Sequence, residues 1–367
     1  MYSINKIFTI CILVLASITG NGQASKSDDA QETALKTKVI KMPKYPIADF
    51  PKKSAPIADI QVIQFVRDSV RLGYVLKGLA NQVAYIQPEK PLTTLLQNHI
   101  EKMYKTDYKK EGGKMLWVIK ELRIGERTGF TEFSYLKLKA DSYISTSNNN
   151  YILAYALDTV FATESGGDVT AWHGLELEDA IKLLLKETLK KYKIVNTEAA
   201  VLSLEEVTKK SLPKFDYPIL DNTIYKEGAY KNFEEFLQNT PSIIDYSPVT
   251  IKKKKTTSIT GFKNNKGDSI NIWGLCKNGE IYKFVEDQLV PIEKNGNGFI
   301  VSYYVSKANV RNNGIFMGSL LGGLAGGLIS MALADKMPQV QTITHLTKSR
   351  KQPDATIVDM ETGEFSF

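Results

Sequence analysis

Two cysteines in 367 residues set the terms on which this chain can fold. Cys11 lies inside an uncharged apolar run, residues 7–20, which follows a short opening whose one positive side chain is Lys6. Small residues at Gly22-Gln23-Ala24 complete the pattern of a secretory signal, so residues 1–24 are expected to be cleaved away after Ala24. The run is 14 residues long, short for a membrane-spanning helix, and polar sequence follows at once. Phe8-Thr9-Ile10 stands before Cys11 where a lipobox would carry leucine and small residues. Cys11 therefore leaves with the signal and strands Cys276, so no internal disulfide can form. Roughly 340 residues must then be held by apolar cores alone, a length sufficient for two cores of ordinary size.

The pattern along the chain is that of an α+β protein: a small mixed sheet with packed helices first, then a mostly antiparallel β domain with one glycine-rich apolar helix. Residues 25–55 are polar, rich in lysine and punctuated by Pro43, Pro46 and Pro51, and read as a linker. The first domain is expected over residues 56–192. Its strands are predicted at 57–65, 114–124, 132–144 and 151–161. A helix after Pro91 carries Leu92, Leu95, Leu96, His99 and Met103 on one face, and a closing helix buries Leu177, Ile181, Leu184, Leu185, Leu189 and Tyr192. Glu176, Glu178 and Asp179 at the start of that helix, and Lys190, Lys191 and Lys193 at its end, match its dipole.

Residues 193–222 read as a connector with a short helix over 198–210, and residues 223–310 as the β-rich domain. It opens with a predicted helix over 228–236 in which Tyr230, Phe233 and Phe236 recur every three residues, the mark of a core-facing stripe. Lys277-Asn278-Gly279 between two apolar runs predicts a hairpin that places Cys276 in a strand, as a small buried hydrophobe. A further strand is expected over 299–305, and a strand-turn-strand over 359–365 in the tail, residues 335–367.

Two resemblances accompany this reading. The strand at 60–65, Asp68 with Arg71-Leu72-Gly73, the helix that follows and the strand at 115–124 resemble the small α/β domain of Gram-negative envelope lipoproteins, such as the auxiliary lipoproteins of lipid-transport systems. The resemblance implies a non-enzymatic role in the envelope. Tyr230-Lys231-Asn232-Phe233-Glu234-Glu235-Phe236 and Ile272-Trp273-Gly274-Leu275-Cys276 are similar to secreted proteins of Bacteroidota, which implies a source and no activity.

Residues 314–334 are 21 positions without a charge, with a mean hydropathy of about 1.7, just above the usual level for a spanning helix. Gly314, Gly318, Gly322 and Gly326 sit four apart, with Gly323 and Gly327 in a parallel file. On a helix they form a ridge on which a second backbone can pack closely, as small residues do between membrane helices. In water each glycine costs a helix up to about 1 kcal/mol relative to alanine. A membrane-embedded, self-associating helix, a helix or hairpin buried between the two domains, and a looser apolar loop all remain open. If the segment spans, Lys336, Lys348, Arg350 and Lys351 fall on the cytoplasmic side.

The chain carries a formal charge of +7, or +6 once Lys6 is lost, mostly as lysine clusters. Such a surface favours solubility and weak attraction to anionic headgroups, and no nucleic-acid motif accompanies it. His99, His173 and His345 are the only histidines. None belongs to a metal-binding spacing, and no phosphate loop or dinucleotide fingerprint occurs, so no catalytic, metal or cofactor site is expected. Gly267-Asp268-Ser269-Ile270 superficially matches the nucleophile block of GDSL esterases, but it reads as a turn entering a strand, and His345 lacks the aspartate such enzymes place before it. The expected function is an exported, non-enzymatic protein that tethers or binds an envelope partner at a membrane. A soluble periplasmic binding module with the glycine segment buried is the alternative, and a hydrolase ranks behind both.

Overall fold

A mixed sheet of eight strands carries the first half of the protein in the computed structural model: β1 (Lys36–Ile40), β2 (Ile57–Gln64), β3 (Gly73–Lys77), β4 (Gln82–Pro88), β5 (Gly113–Arg127), β6 (Glu132–Ser145), β7 (Asn150–Ser165) and β8 (Val201–Ser203). Their spatial order is β1-β4-β3-β5-β6-β7-β8, with β2 sharing the β3 side of β5. The structure describes residues 36–44, 57–77, 82–104, 108–110, 112–127, 131–145, 150–192, 200–253, 256–301, 340 and 352–367. The signal at 1–24, the glycine-rich segment at 314–334 and His345 lie outside them. No helix among the described residues is long and apolar enough to cross a membrane.

Two helices, α1 (Leu92–Tyr104) and α2 (His173–Tyr192), cover one face of this sheet. Leu177, Ile181, Leu184, Leu185 and Leu189 are buried at the predicted spacing, each contributing roughly 1.5–3 kcal/mol by leaving water. Lys36–Ile40, inside the stretch that reads as a polar linker, is instead an edge strand that pairs in parallel with β4 and buries Ile40. The short helix of the connector, α3 (Leu204–Ser211), starts later than its charge pattern suggests, because Ser203 and Glu206 form a reciprocal capping box.

The second half begins with α4 (Pro218–Asp221), β9 (Gly228–Tyr230) and α5 (Phe233–Leu237). The predicted helix over 228–236 is thus split: Asn232 caps the Glu235 amide at 3.0 Å, so the helix starts at Phe233 and Tyr230 stays in a strand. The aromatics still meet in the core, with Phe236 stacked 4.4 Å from Trp273 and edge-on to Tyr230 and Phe299.

A three-stranded sheet follows, built from β10 (Tyr246–Lys253), β11 (Thr256–Asn264) and β12 (Ser269–Ile270). A seven-stranded antiparallel sheet combines β9 with β13 (Gly274–Lys277), β14 (Glu280–Val285), β15 (Gln288–Asn295), β16 (Gly298–Val301), β17 (Ile357–Val358) and β18 (Phe365–Ser366). Asn278 and Gly279 both take positive φ, the geometry that lets a two-residue turn follow the strand twist. The tail does form a strand-turn-strand, and it joins the sheet by pairing Val358 with Phe299.

One apolar cluster spans both halves. Tyr74, Phe133 and Tyr135 from the first sheet pack with Tyr230, Phe236, Val358 and Phe367, and the described residues belong to a single compact unit.

Candidate functional site

The face of β5 and β6 turned away from α1 and α2 carries an ionic stretch beside its apolar residues, and the reason lies in one bulge. Before Lys120, the odd residues Met115, Trp117 and Ile119 point toward α1 and α2. The register shifts between Ile119 and Glu121, after which the even residues Leu122 and Ile124 take over that core face. Glu121 and Arg123 then lie on the opposite side, directly across from Lys139 and Lys137.

Above this ionic face lies an open cavity of about 560 Å³, walled by the loop after β2, the β15–β16 turn and the Asp359–Gly363 turn of the tail. Its charged lining comprises Arg67, Arg71, Lys120, Arg123 and Lys139 against Asp68, Glu121, Asp359 and Glu361. Most of these are already satisfied. Asp68 pairs with Arg71 at 2.8 Å, Lys137 with Glu121 at 2.9 Å, and Lys139 with Glu361 at 3.1 Å, while Lys120 pairs with Asp141. Asp359 accepts the amides of Glu361 and Thr362 in its own turn.

Arg67 and Arg123 are held differently. Arg67 donates to the main-chain oxygens of Asn297 at 3.1 Å and Lys214 at 2.8 Å, and its guanidinium lies 4.9 Å over the Phe215 ring. Burial pulls its pKa below the ordinary arginine value, against the pull of Tyr217, Glu361 and Asp359. Arg123, only 8% exposed, donates to the main-chain oxygens of Phe367 at 2.9 Å and Arg71 at 3.3 Å. Its Nη2 is buried without a hydrogen-bond partner among the described residues.

A second polar cluster sits in the helix-side core. His173, at the start of α2, places Nε2 2.7 Å from Glu126 Oε1 and Nδ1 2.9 Å from Ser134 Oγ. The Ser134 hydroxyl gives its one proton to Glu176 Oε2 at 2.6 Å, so it must accept from Nδ1–H. Both ring nitrogens then carry protons, and His173 is an imidazolium between two carboxylates. Burial alone lowers its pKa, but the hydrogen bonds and charges of Glu126 and Glu176 outweigh it and leave the pKa raised. Although serine, histidine and glutamate line up as in a nucleophilic triad, Ser134 is fully enclosed and points its proton at Glu176. The cluster is a buried ionic joint between β5, β6 and α2.

The remaining singled-out residues are structural. His99 is buried on the apolar face of α1, and Cys276 is a buried strand residue whose thiol burial pushes up to about 11. Gly267-Asp268-Ser269 is a turn in which Asn264 Oδ1 accepts the Lys266 and Asp268 amides before β12 begins. Among the described residues no cluster of histidine, cysteine and carboxylate side chains could hold a metal ion. The helix-packing glycines at 314, 318, 322, 323, 326 and 327 lie outside the described residues. Sequence reasoning missed the cavity arginines, although one signal was present: the chain has 41 lysines and only six arginines, and three of the six line this cavity.

No protein-family model matches the chain, and no curated protein does. One solved structure that matches in part is the crystal structure of a protein from Xanthomonas campestris assigned to the DUF330 family, at 10% identity and a TM-score of 0.28. The match covers 43% of this chain and 97% of that one.

Proposed function

We propose that this chain is an exported, non-enzymatic protein of the cell envelope that works at a membrane and binds a small ligand in the cavity above β5 and β6. The observation that carries the reading is the cavity itself. Its size falls within the range of ligand sites, and its polar side chains are fixed by internal ion pairs and carbonyl bonds rather than free to collapse into it. A site prepared in this way avoids part of the ordering cost of binding. The secretory pattern at the N-terminus and the lysine-rich surface support the envelope setting, as does the resemblance of the first half to envelope lipoproteins.

The test is to purify the protein without detergent, denature it, and search the extract by mass spectrometry. The expected result is a small molecule at one per chain. It should be missing from Ser69→Trp, which places a large ring on the cavity wall without removing any cavity charge. Identical extracts from the two proteins would overturn the binding reading. Membrane association is tested separately by washing membranes at high salt and at alkaline pH, where complete release would remove the membrane setting.

A further inference from the structure

The geometry points to an amphipathic anion as the occupant of this cavity: a single apolar chain ending in a carboxylate or a phosphate. This inference rests on the binding reading above and names the ligand class for that same site. Two features of the lining lead to it. The first is charge placement. Five cations face four carboxylates, but the carboxylates are taken up by Arg71, Lys137, Lys139 and the amides of the Asp359 turn. Arg67 and Arg123 donate to main-chain oxygens, which fix each guanidinium in position, while the carboxylates that favour their charged forms, Glu361 and Asp359 for Arg67 and Glu121 and Asp68 for Arg123, spend their own hydrogen bonds on other partners.

Arg67 and Arg71 converge on one point of the wall. Arg67 Nη1 bonds to the Asn297 oxygen, and Arg71 Nη2 lies 2.9 Å from where a side chain on Gly296 would begin. Arg123 lies beneath them on the strand side, bonded to the main chain of Arg71. Arginine is the side chain whose planar fork matches carboxylate and phosphate oxygens, and in a chain so dominated by lysine its use here is selective.

The second feature is the apolar part of the lining. Phe65, Val66, Val70 and Ile357 line the cavity with partly exposed side chains that have no donor or acceptor to offer, above Phe299, Val358 and Met360, which are already buried in the shared core. They give a hydrocarbon chain a surface to bury, whereas a small hydrophilic anion would leave them in water. Each methylene placed there leaves water, so a hydrocarbon chain adds affinity that the head group alone does not supply.

The experiment is isothermal titration of the purified protein with decanoate, decyl phosphate, 1-decanol, decyltrimethylammonium and inorganic phosphate, all below micelle-forming concentrations. Decanoate and decyl phosphate should bind at one per chain and at least tenfold tighter than decanol or the ammonium. The tighter of the two head groups distinguishes a fatty acid from a single-chain lipid phosphate as the source. Arg67→Gln should lower affinity for both anions about tenfold and leave decanol unchanged, with circular dichroism confirming the fold. If that variant does not fold, the charge preference of the unaltered protein still decides the matter. Equal affinity for decanol or the ammonium would overturn the anion assignment, and inorganic phosphate binding as tightly as decyl phosphate would overturn the amphipathic one. Both results would leave the cavity as a binding site. Absence of binding by every probe, together with identical extracts from the Ser69→Trp comparison, would remove the underlying reading as well.

Discussion

Replacing His173 by alanine is the sharpest probe of what holds the two layers of the first half together. The imidazolium is 2% exposed and bridges Glu126 on β5 to Glu176 on α2 through Ser134 on β6. Without it two carboxylates remain in the core, and breaking a buried ionic partnership by removing one member costs about 3–5 kcal/mol. For a unit of this size each kcal/mol corresponds to roughly 2–3 °C, so the melting temperature should fall by roughly 6–15 °C. The pH dependence follows from the raised pKa. The stabilisation is fully present below the ordinary imidazole value of about 6.5, and it is lost as pH rises through the higher folded-state value. Urea titrations of His173→Ala and the unaltered protein, followed by tryptophan fluorescence from pH 5 to pH 10, should therefore show a gap that is widest at low pH and narrows in alkali. In a Glu126→Gln, Glu176→Gln background, the same His173 substitution should cost markedly less, because the charges it compensates are gone. A single-variant loss below about 1 kcal/mol at pH 6, or a gap that does not change with pH, refutes the imidazolium assignment.

Two further outcomes test the backbone and the core. Gly73, at φ +148, brings β3 against β5 so closely that a Cβ would stand 1.8 Å from the Ile124 main-chain oxygen, so Gly73→Ala should lower the melting temperature by roughly 10 °C or abolish soluble expression. Gly167→Ala, with nothing within 4 Å, should melt within about 1–2 °C of the unaltered protein. Cys276 should resist a soluble thiol reagent at pH 8, where its buried thiol stays protonated, and react only as fast as the protein unfolds in urea. Rapid labelling of the folded protein would show that β13 is open to solvent.

Where side-chain period and turn chemistry agree, the sequence is a good guide. The stripe of α2, the helix after Pro91 and the Asn278-Gly279 hairpin all follow local rules, and all are present. The β14–β15 hairpin escapes those rules, because its turn residues Glu286 and Asp287 adopt positive φ without a glycine or asparagine to announce it. Lys36–Ile40 escapes for another reason. A five-residue edge strand needs only one buried side chain, Ile40, and its lysines and threonine look like linker until β4 is placed beside it. The α+β class is thus readable in advance, while the way both halves share one cluster around Tyr135, Phe236 and Phe367 depends on contacts far apart in the chain.

The cavity shows why a site can be invisible in a sequence whose strands are legible. Read with a strict period of two, the run from Gly113 to Arg127 puts Glu121 and Arg123 on the same face as Met115, Trp117 and Ile119, which places two charges in the helix-side core. The bulge at Lys120 removes that conflict by exchanging the faces halfway along the strand. Trp117 and Leu122 both reach the helix-side core, and the ionic pair turns toward the second half of the protein. A single extra residue in one strand therefore creates the charged wall. Long-range pairing of the Ile357–Val358 strand with β16 then adds the opposite wall, and neither event leaves a motif behind. What does leave a trace is the choice of arginine over lysine at positions 67, 71 and 123. A chain with 41 lysines has no shortage of positive charge, so arginine at three points of one cavity reflects the demand for a planar donor that can hold its charge while partly buried.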